Sequence, residues 1–295
     1  MNLAAALVVA ALTVGTWNGE WFPSGRAEHR ASEDVERATV RAAGQMMREG
    51  IAKIDPSGTE DIVLCLNEIR DLESAEALCR EIGRTNLSVA IVSGYRRRDR
   101  FDQQQDVIMT TLPVAKANWS RWKVWKDDTP PRGYARADLV VSPSVTATVY
   151  AVHLKSNYGQ TSDAIAKSNR LKRGRAIGQL VEQEQPKRGK YRAPVVIAGD
   201  FNADRFAKEF EEEHVFRTLA AAKFDDAFEG VEKPTRITYP GSGSRRSGST
   251  LDCVMSRGFV QDGPPFVVPA LRLSDHNAVF VRLRTAESPA DRRVE

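Results

Sequence analysis

Apolar, β-branched runs of strand length recur along this chain, and they end at an acid, an amide or an imidazole. After Pro194 come Val195, Val196, Ile197 and Ala198, followed at once by Gly199, Asp200, Phe201 and Asn202. Such a run reads as a buried strand whose last residues emerge at a sheet edge. Side chains on extended backbone alternate, so Asp200 and Asn202 can face one cleft. Taken singly, a Gly-Asp-x-Asn is equally well a strand followed by an Asx turn. Repetition decides between the two. Asn18 closes a run that begins at Leu12, Glu68 one that begins at Ile62, and His153 one that begins at Val145. Asp252 stands near the start of a further run, and Asp275 with His276 precede the last. Buried carboxylates need partners or metals, so carboxylates set on greasy strands read as a site.

Helical segments separate the strands. Ser32, Glu33 and Asp34 suit a helix start, and Val35, Ala38, Ala42 and Met46 share one face of it. Asp55-Pro56-Ser57-Gly58 ends that segment. A strand at 61–68, a helix at 72–82 and a strand at 87–92 follow, the alternation of an α/β layer. Residues 105–110 read as a strand, and 134–141 with 145–152 as an antiparallel hairpin turning at Ser142-Pro143-Ser144. Ser162 begins a long amphipathic helix whose Lys167, Arg170, Lys172, Arg173 and Arg175 read mostly as its solvated side. Residues 205–222 read as helical, with Glu211, Glu212, Glu213 and His214 as exposed surface rather than metal ligands. The Gly/Ser loop 240–249, carrying Arg245 and Arg246, is expected to be mobile.

No internal repeat or composition shift divides the 295 residues, which suffice for one sizeable core. One domain over 12–285 is expected, with an apolar stub at 1–11 and a polar tail at 286–295. The stub is either a short export signal, although no Lys or Arg precedes it, or a lead-in to the first strand. Export to the periplasm or medium is the expectation drawn over a cytoplasmic location. No run approaches the ~20 apolar residues of a membrane span, so no stable membrane insertion is expected. Three cysteines make no disulfide framework, and Cys65 and Cys253 read as buried thiols. The net charge is only +4, but basic residues cluster. Arg96, Arg97, Arg98 and Arg100 crowd one loop, and Trp119, Trp122 and Trp125 alternate with Lys116, Arg121, Lys123 and Lys126. The second cluster fits contact with a phosphate backbone and its bases. It fits equally a solvated face with lysines snorkelling over partly buried indoles.

The polar inventory is carboxylates, amides and two histidines, a hard-ligand set that suits Mg²⁺ or Mn²⁺ rather than zinc. No His-Glu-x-x-His, P-loop or Gly-x-Ser-x-Gly motif occurs, which removes the commonest zinc-protease, nucleoside-triphosphatase and serine-esterase readings.

Thr16-Trp17-Asn18, Leu66-Asn67-Glu68-Ile69, His153-Leu154-Lys155-Ser156-Asn157, Gly199-Asp200-Phe201-Asn202, Leu251-Asp252 and Ser274-Asp275-His276 together resemble the endonuclease/exonuclease/phosphatase superfamily, in its motif order and over nearly the whole chain. The resemblance implies an α/β (α+β) fold, a four-layer α/β/β/α sandwich of two mixed β-sheets flanked by helices. It implies hydrolysis of a phosphate ester with a divalent cation, Mg²⁺ first, with Mn²⁺ or Ca²⁺ as alternatives. Glu68 would bind the cation with Asn18 and Asp275. Asp200 would orient or deprotonate the attacking water, and Asn202 would hold a phosphate oxygen. His276 would contact the scissile phosphate with Asp252 fixing its tautomer, and His153 would assist on the phosphate or the leaving oxygen. Arg132 would clamp the phosphate, with Arg136 as the alternative, and Asn157 joins the phosphate-binding set. Which group is general acid or base stays open. Gly19 and Cys253 depart from the family's usual residues without removing a catalytic group. The expected substrate is DNA or RNA, acted on by a monomer; a phospholipid or small phosphate ester is the alternative. A binding module that kept the fold and lost catalysis is disfavoured by the intact polar set.

Overall fold

The run from Ala11 forms the long strand β1 (Ala11–Phe22), which pairs in parallel with β2 (Asp61–Ile69) and antiparallel with β15 (Ala278–Thr285). The computed structural model describes residues 11–25, 31–97, 100–101, 104–157, 162–185, 193–241 and 248–285. The expected stub up to residue 10, the polar tail from 286, Arg98 and the two arginines of the Gly/Ser loop lie outside them. The first sheet continues from β2 to β6 (Gln105–Thr110) and β3 (Ser88–Val92), and from β15 to β13 (Phe259–Gln261) and β14 (Phe266–Val268). The second runs in the order β11 (Asp225–Asp226), β12 (Asp252–Arg257), β10 (Val195–Asp200), β9 (Val145–His153), β8 (Gly133–Ser142) and β7 (Val114–Arg121). Only β9 and β10 are parallel there, so both sheets are mixed. The strands β4 (Arg96–Arg97) and β5 (Arg100–Phe101) form a separate small hairpin.

The unbroken greasiness of the strands has a direct cause: both faces are covered. In β2, Val63 and Cys65 pack between the sheets, while Ile62, Leu64 and Leu66 face helices α1 (Glu33–Ile54) and α2 (Leu72–Ile82). In β10, Val196 and Ala198 point to the other sheet, while Val195 and Ile197 face α3 (Asp163–Gln183) and α4 (His214–Ala221). The result is helices, sheet, sheet, helices. Each fully buried Val, Leu or Ile contributes about 1.5–3 kcal/mol relative to an exposed one, so the strands hold their register firmly. Only the polar ends depart from that logic. Among the described residues no helix is long and apolar enough to cross a membrane.

Some local readings shift. The buried stripe of α1 is Val40, Ala43, Met46, Met47 and Ile51, while Val35 is 53% exposed. The expected helix over 205–222 shortens to α4, preceded by a single 3-10 turn at Lys208–Phe210. That break places Glu213 differently from its neighbours. Glu213 is buried and pairs with Arg173, itself fully buried, so neither belongs to the solvated surface to which the sequence pattern assigned it. Trp122 is buried and Trp125 lies under the Arg175 guanidinium, which leaves Trp119 as the exposed indole of that segment. Cys65 and Cys253 are buried free thiols, each pushed up in pKa by burial.

Candidate active site

Strand register gathers the polar ends. Asn18 lies opposite Asn67 in the β1–β2 pair, so Glu68, the next residue, leaves the sheet at the same edge as Asn18. In the second sheet Asp200 lies opposite His153 on one side and Asp252 on the other. Three adjacent strands, spaced about 4.8 Å apart, therefore present an imidazole and two carboxylates in one row. The loop before β15 adds His276 and is tied to β1: Ser274 Oγ donates to the Asn18 carbonyl at 2.7 Å, and Trp17 Nε1 to the His276 carbonyl at 3.1 Å. Gly199 has φ +144°, and a Cβ there would stand 1.9 Å from the Val152 carbonyl oxygen and 3.0 Å from Asn67 Oδ1. Only glycine lets β10 lie this close to β9 and admit the Asn67 side chain from the other sheet. Glu68, Arg132 and Asn202 all adopt positive φ, backbone strain that costs roughly 1–3 kcal/mol per residue and here falls on site residues.

Asp200 is at the centre. Its Oδ1 accepts the Asn202 N–H at 2.8 Å, and its Oδ2 accepts Asn18 Nδ2 at 3.0 Å and Asn202 Nδ2 at 2.8 Å. Burial raises its pKa and the Asp252 charge adds to the effect, while His276 and the donated hydrogen bonds oppose it. A carboxylate so placed can hold or accept a proton near neutrality. Both Nδ2 hydrogens of Asn202 are used, one on Asp200 and one on the Leu154 carbonyl at 3.2 Å. A phosphate oxygen would have to displace one of them.

His276 Nδ1 is 2.7 Å from Asp252 Oδ2, and its Nε2 is 3.9 Å from Asp200 Oδ2. Burial alone would depress this imidazole, but Asp252 and Asp200 overcome it and raise the pKa. The ring therefore keeps its proton, and Nε2 is the end aimed away from Asp252. His153 is the opposite case. Burial first, then the nearby charges of Arg132 and His276, hold it well below the usual histidine range. Arg132 Nη2 sits 3.2 Å from its Nδ1 and 3.1 Å from its Nε2, which a neutral ring permits. Arg132 is thus the arginine at the site. Arg136 pairs with Asp138 at 2.9 Å and lies over the Tyr150 ring on the α3 side of the sheet.

Two groupings offer donors to a divalent cation. Single ligand atoms of Asp200, Asp252 and His276 lie within 4.8 Å of one another, but a protonated His276 bonded to Asp252 has no lone pair to give. Glu68 fits better. Its Oε2 is buried without a hydrogen-bond partner, and its Oε1 stands 3.7 Å from His153 Nε2, too far for a hydrogen bond. A buried carboxylate oxygen left bare can take a cation, and Asp252 Oδ1 is bare in the same way. Asp275, half-exposed, has its pKa raised by burial first and by Glu68 and Asp252 as well, while its N–H donates to Glu20 Oε2 at 2.9 Å. Asn18 Oδ1 accepts the Glu20 N–H at 3.0 Å and keeps a second lone pair. Asn157, last of its motif, has its Oδ1 held by Asn169 at 3.2 Å and Arg173 at 3.1 Å.

Sequence reasoning missed Asp106. It is fully buried, accepts from Asn67 Nδ2 at 2.7 Å and Tyr95 O–H at 2.9 Å, and burial, opposed by Arg132, pushes its pKa up to about 7. It is the second residue of β6, whereas attention to the ends of runs finds the other groups. Because β6 runs antiparallel to β2, its first residues meet the same edge as Glu68. An acid opening a greasy run was the available signal.

The layers and mixed sheets are the fold of solved endonuclease/exonuclease/phosphatase proteins, the DNase I-like fold. No protein-family model matches the chain, and no curated protein matches it in sequence. Solved structures match almost end to end. The endonuclease/exonuclease/phosphatase from Beutenbergia cavernae DSM 12333 is 16% identical with a TM-score of 0.64, over 94% of this chain and 72% of that one. Sphingomyelinase C from Streptomyces griseocarneus is 16% identical with a TM-score of 0.58, over 94% and 99%. D. rerio TDP2, solved with a single-strand DNA product, is 14% identical with a TM-score of 0.56, over 93% and 99%.

Proposed function

We propose that this chain is a divalent-cation-dependent phosphodiester hydrolase whose substrate is a nucleic acid. One observation carries the reading: His153, Asp200 and Asp252 from one sheet converge with Glu68 and His276 from the other, beside Arg132. Phosphodiesters are anionic, so attack requires that their charge be met by cations and donors. Mg²⁺ held by Glu68, with Asn18 and Asp275, would supply charge neutralisation at the phosphate. Arg132 binds the phosphate and adds to the burial that holds the His153 pKa down. Asp200 orients a water and takes its proton as the water oxygen bonds to phosphorus. His276 Nε2, protonated through its pairing with Asp252, donates to the phosphate or to the departing ester oxygen. Asn202, with its amide already bonded to Asp200 and the Leu154 carbonyl, would exchange one of those bonds for a phosphate oxygen.

For the substrate, the charge distribution favours nucleic acid over lipid. Lys116, Lys123, Arg121 and Trp119 are exposed on or beside the edge strand β7. Of the exposed large apolar side chains among the described residues, Val35, Leu72, Ile165, Val260 and Leu271 stand singly, while Val114, Trp119 and Val124 lie on or just after β7, interleaved with its basic residues. The likeness to sphingomyelinase C motivates a lipid arm in the test. Plasmid DNA, structured RNA, sphingomyelin vesicles and a small chromogenic diester are each incubated with the protein and Mg²⁺, with and without EDTA. EDTA-sensitive cleavage of nucleic acid that falls steeply with salt is expected. Release of phosphocholine with nucleic acid intact would move the protein to the lipid reading, and no turnover on any substrate would overturn the hydrolase.

A further inference from the structure

Asp200 is bonded through its backbone as well as its carboxylate. Its N–H, at the end of β10, donates to Asn67 Oδ1 at 2.9 Å, across the gap between the sheets. Asn67 is fully buried, and the other end of its amide donates to Asp106 Oδ1 at 2.7 Å. Asp106 is itself held: Tyr95 O–H donates to its Oδ2 at 2.9 Å, and its own N–H donates to Ser93 Oγ at 2.9 Å.

An asparagine amide can be turned by 180° with little change of shape. Turned that way, Asn67 would set its NH₂ against the Asp200 N–H and its oxygen against a carboxylate. Both contacts would be repulsive. Asp106 therefore decides which end of Asn67 meets Asp200. We propose that Asn67, oriented by Asp106, is the positioning residue for Asp200 and carries the register of the Glu68 strand across to the Asp200 strand. Gly199 makes the approach possible, since any side chain there would push Asn67 and Val152 away. Neither Asn67 nor Asp106 touches substrate; both act through Asp200.

The kinetic half of this inference rests on the hydrolase reading, and the exchange half does not. Amide hydrogen exchange is measured by NMR on the full-length, cation-free chain for wild type, Asn67→Ala, Asp106→Leu, Asp106→Asn and Tyr95→Phe. In Asn67→Ala and Asp106→Leu the Asp200 amide is expected to exchange about tenfold faster or more, with Ile197, on the same strand, unchanged. Asp106→Asn can still accept from Asn67 Nδ2 and should stay within about threefold of wild type. On whichever substrate turns over, Asn67→Ala should lose about a hundredfold in kcat with KM nearly constant, the signature of a misplaced group rather than lost binding. Should Asn67→Ala fail to fold, Tyr95→Phe, which loosens Asp106 alone, should show a smaller loss of the same pattern. Unchanged Asp200 protection in both Asn67→Ala and Asp106→Leu, or equal loss at Ile197, would overturn the proposal. An inactive wild type would refute the hydrolase reading while the exchange comparison still decided this one.

Discussion

Arg173 offers the sharpest test of how the site's outer wall is held. Its guanidinium is fully buried; Nε and Nη2 both donate to Glu213, and Nη1 donates to the Lys155 carbonyl at 2.7 Å and to Asn157 Oδ1 at 3.1 Å. Arg173→Met keeps the bulk and removes all of these donors. Asn157 retains Asn169, so the dominant loss is the Glu213 carboxylate left buried and unpaired. Breaking a buried pair from one side costs about 3–5 kcal/mol, a large share of the roughly 5–15 kcal/mol that holds a domain together. With an m-value of about 3 kcal/mol/M, the urea midpoint should fall by about 1–1.7 M. Arg173→Met with Glu213→Leu removes the orphaned charge and should lie within about 1 kcal/mol of wild type. The double variant should nonetheless turn substrate over less well, because the Lys155–Asn157 loop has lost a tether. Equal destabilisation in the single and double variants would refute the reasoning, since the penalty would then not be that of an unpaired carboxylate.

Asp252→Asn should lower kcat by about 10²–10⁴ with the urea midpoint little changed, because an amide can no longer hold the proton on His276 Nδ1; steady-state kinetics decide it. Glu68→Gln should weaken apparent Mg²⁺ affinity by at least about tenfold, read as a right-shifted Mg²⁺ activation curve and by calorimetry without substrate. Asp55 provides the pH case. Burial would raise its carboxyl, but Ser57, the Thr59 and Gly58 backbone and Arg84 together hold it below the usual value. A depressed folded pKa stabilises above the ordinary value of about 3.9 and is lost as pH falls through the folded one. Asp55→Asn should therefore lower the urea midpoint at pH 7 and flatten its decline in acid.

The strands were legible because strands covered on both faces announce themselves as unbroken apolar runs, and Val195–Ala198 or Ile62–Leu66 need no context; the stacking of two sheets came only with the resemblance carried by the motifs in their order. The candidate site was legible for a related reason: Glu68, His153 and Asp200 stand where such a run stops. Asp106 was not, because it opens an antiparallel run, and direction within a sheet is a property of pairing partners distant in sequence. Glu213 was hidden by its neighbours. Three consecutive glutamates read as one surface, and only the break at Lys208–Phe210 turns the last of them inward to Arg173. Choosing Arg132 over Arg136 likewise required knowing that Arg136 lies on the other face of β8.

The division of the polar set between two stacked sheets has a further consequence. His153, Asp200 and Asp252 move with one slab, Asn18, Glu68 and His276 with the other; the hydrocarbon between them is non-directional, and bonds from Asn18 and Asn67 to Asp200 and from His276 to Asp252 supply the directional ties. A shear of an ångström would break those ties before it exposed the core, separating the groups proposed as acid, base and cation holder. On warming, turnover should fade while circular dichroism still reports a folded chain, making catalysis a finer gauge of alignment than melting.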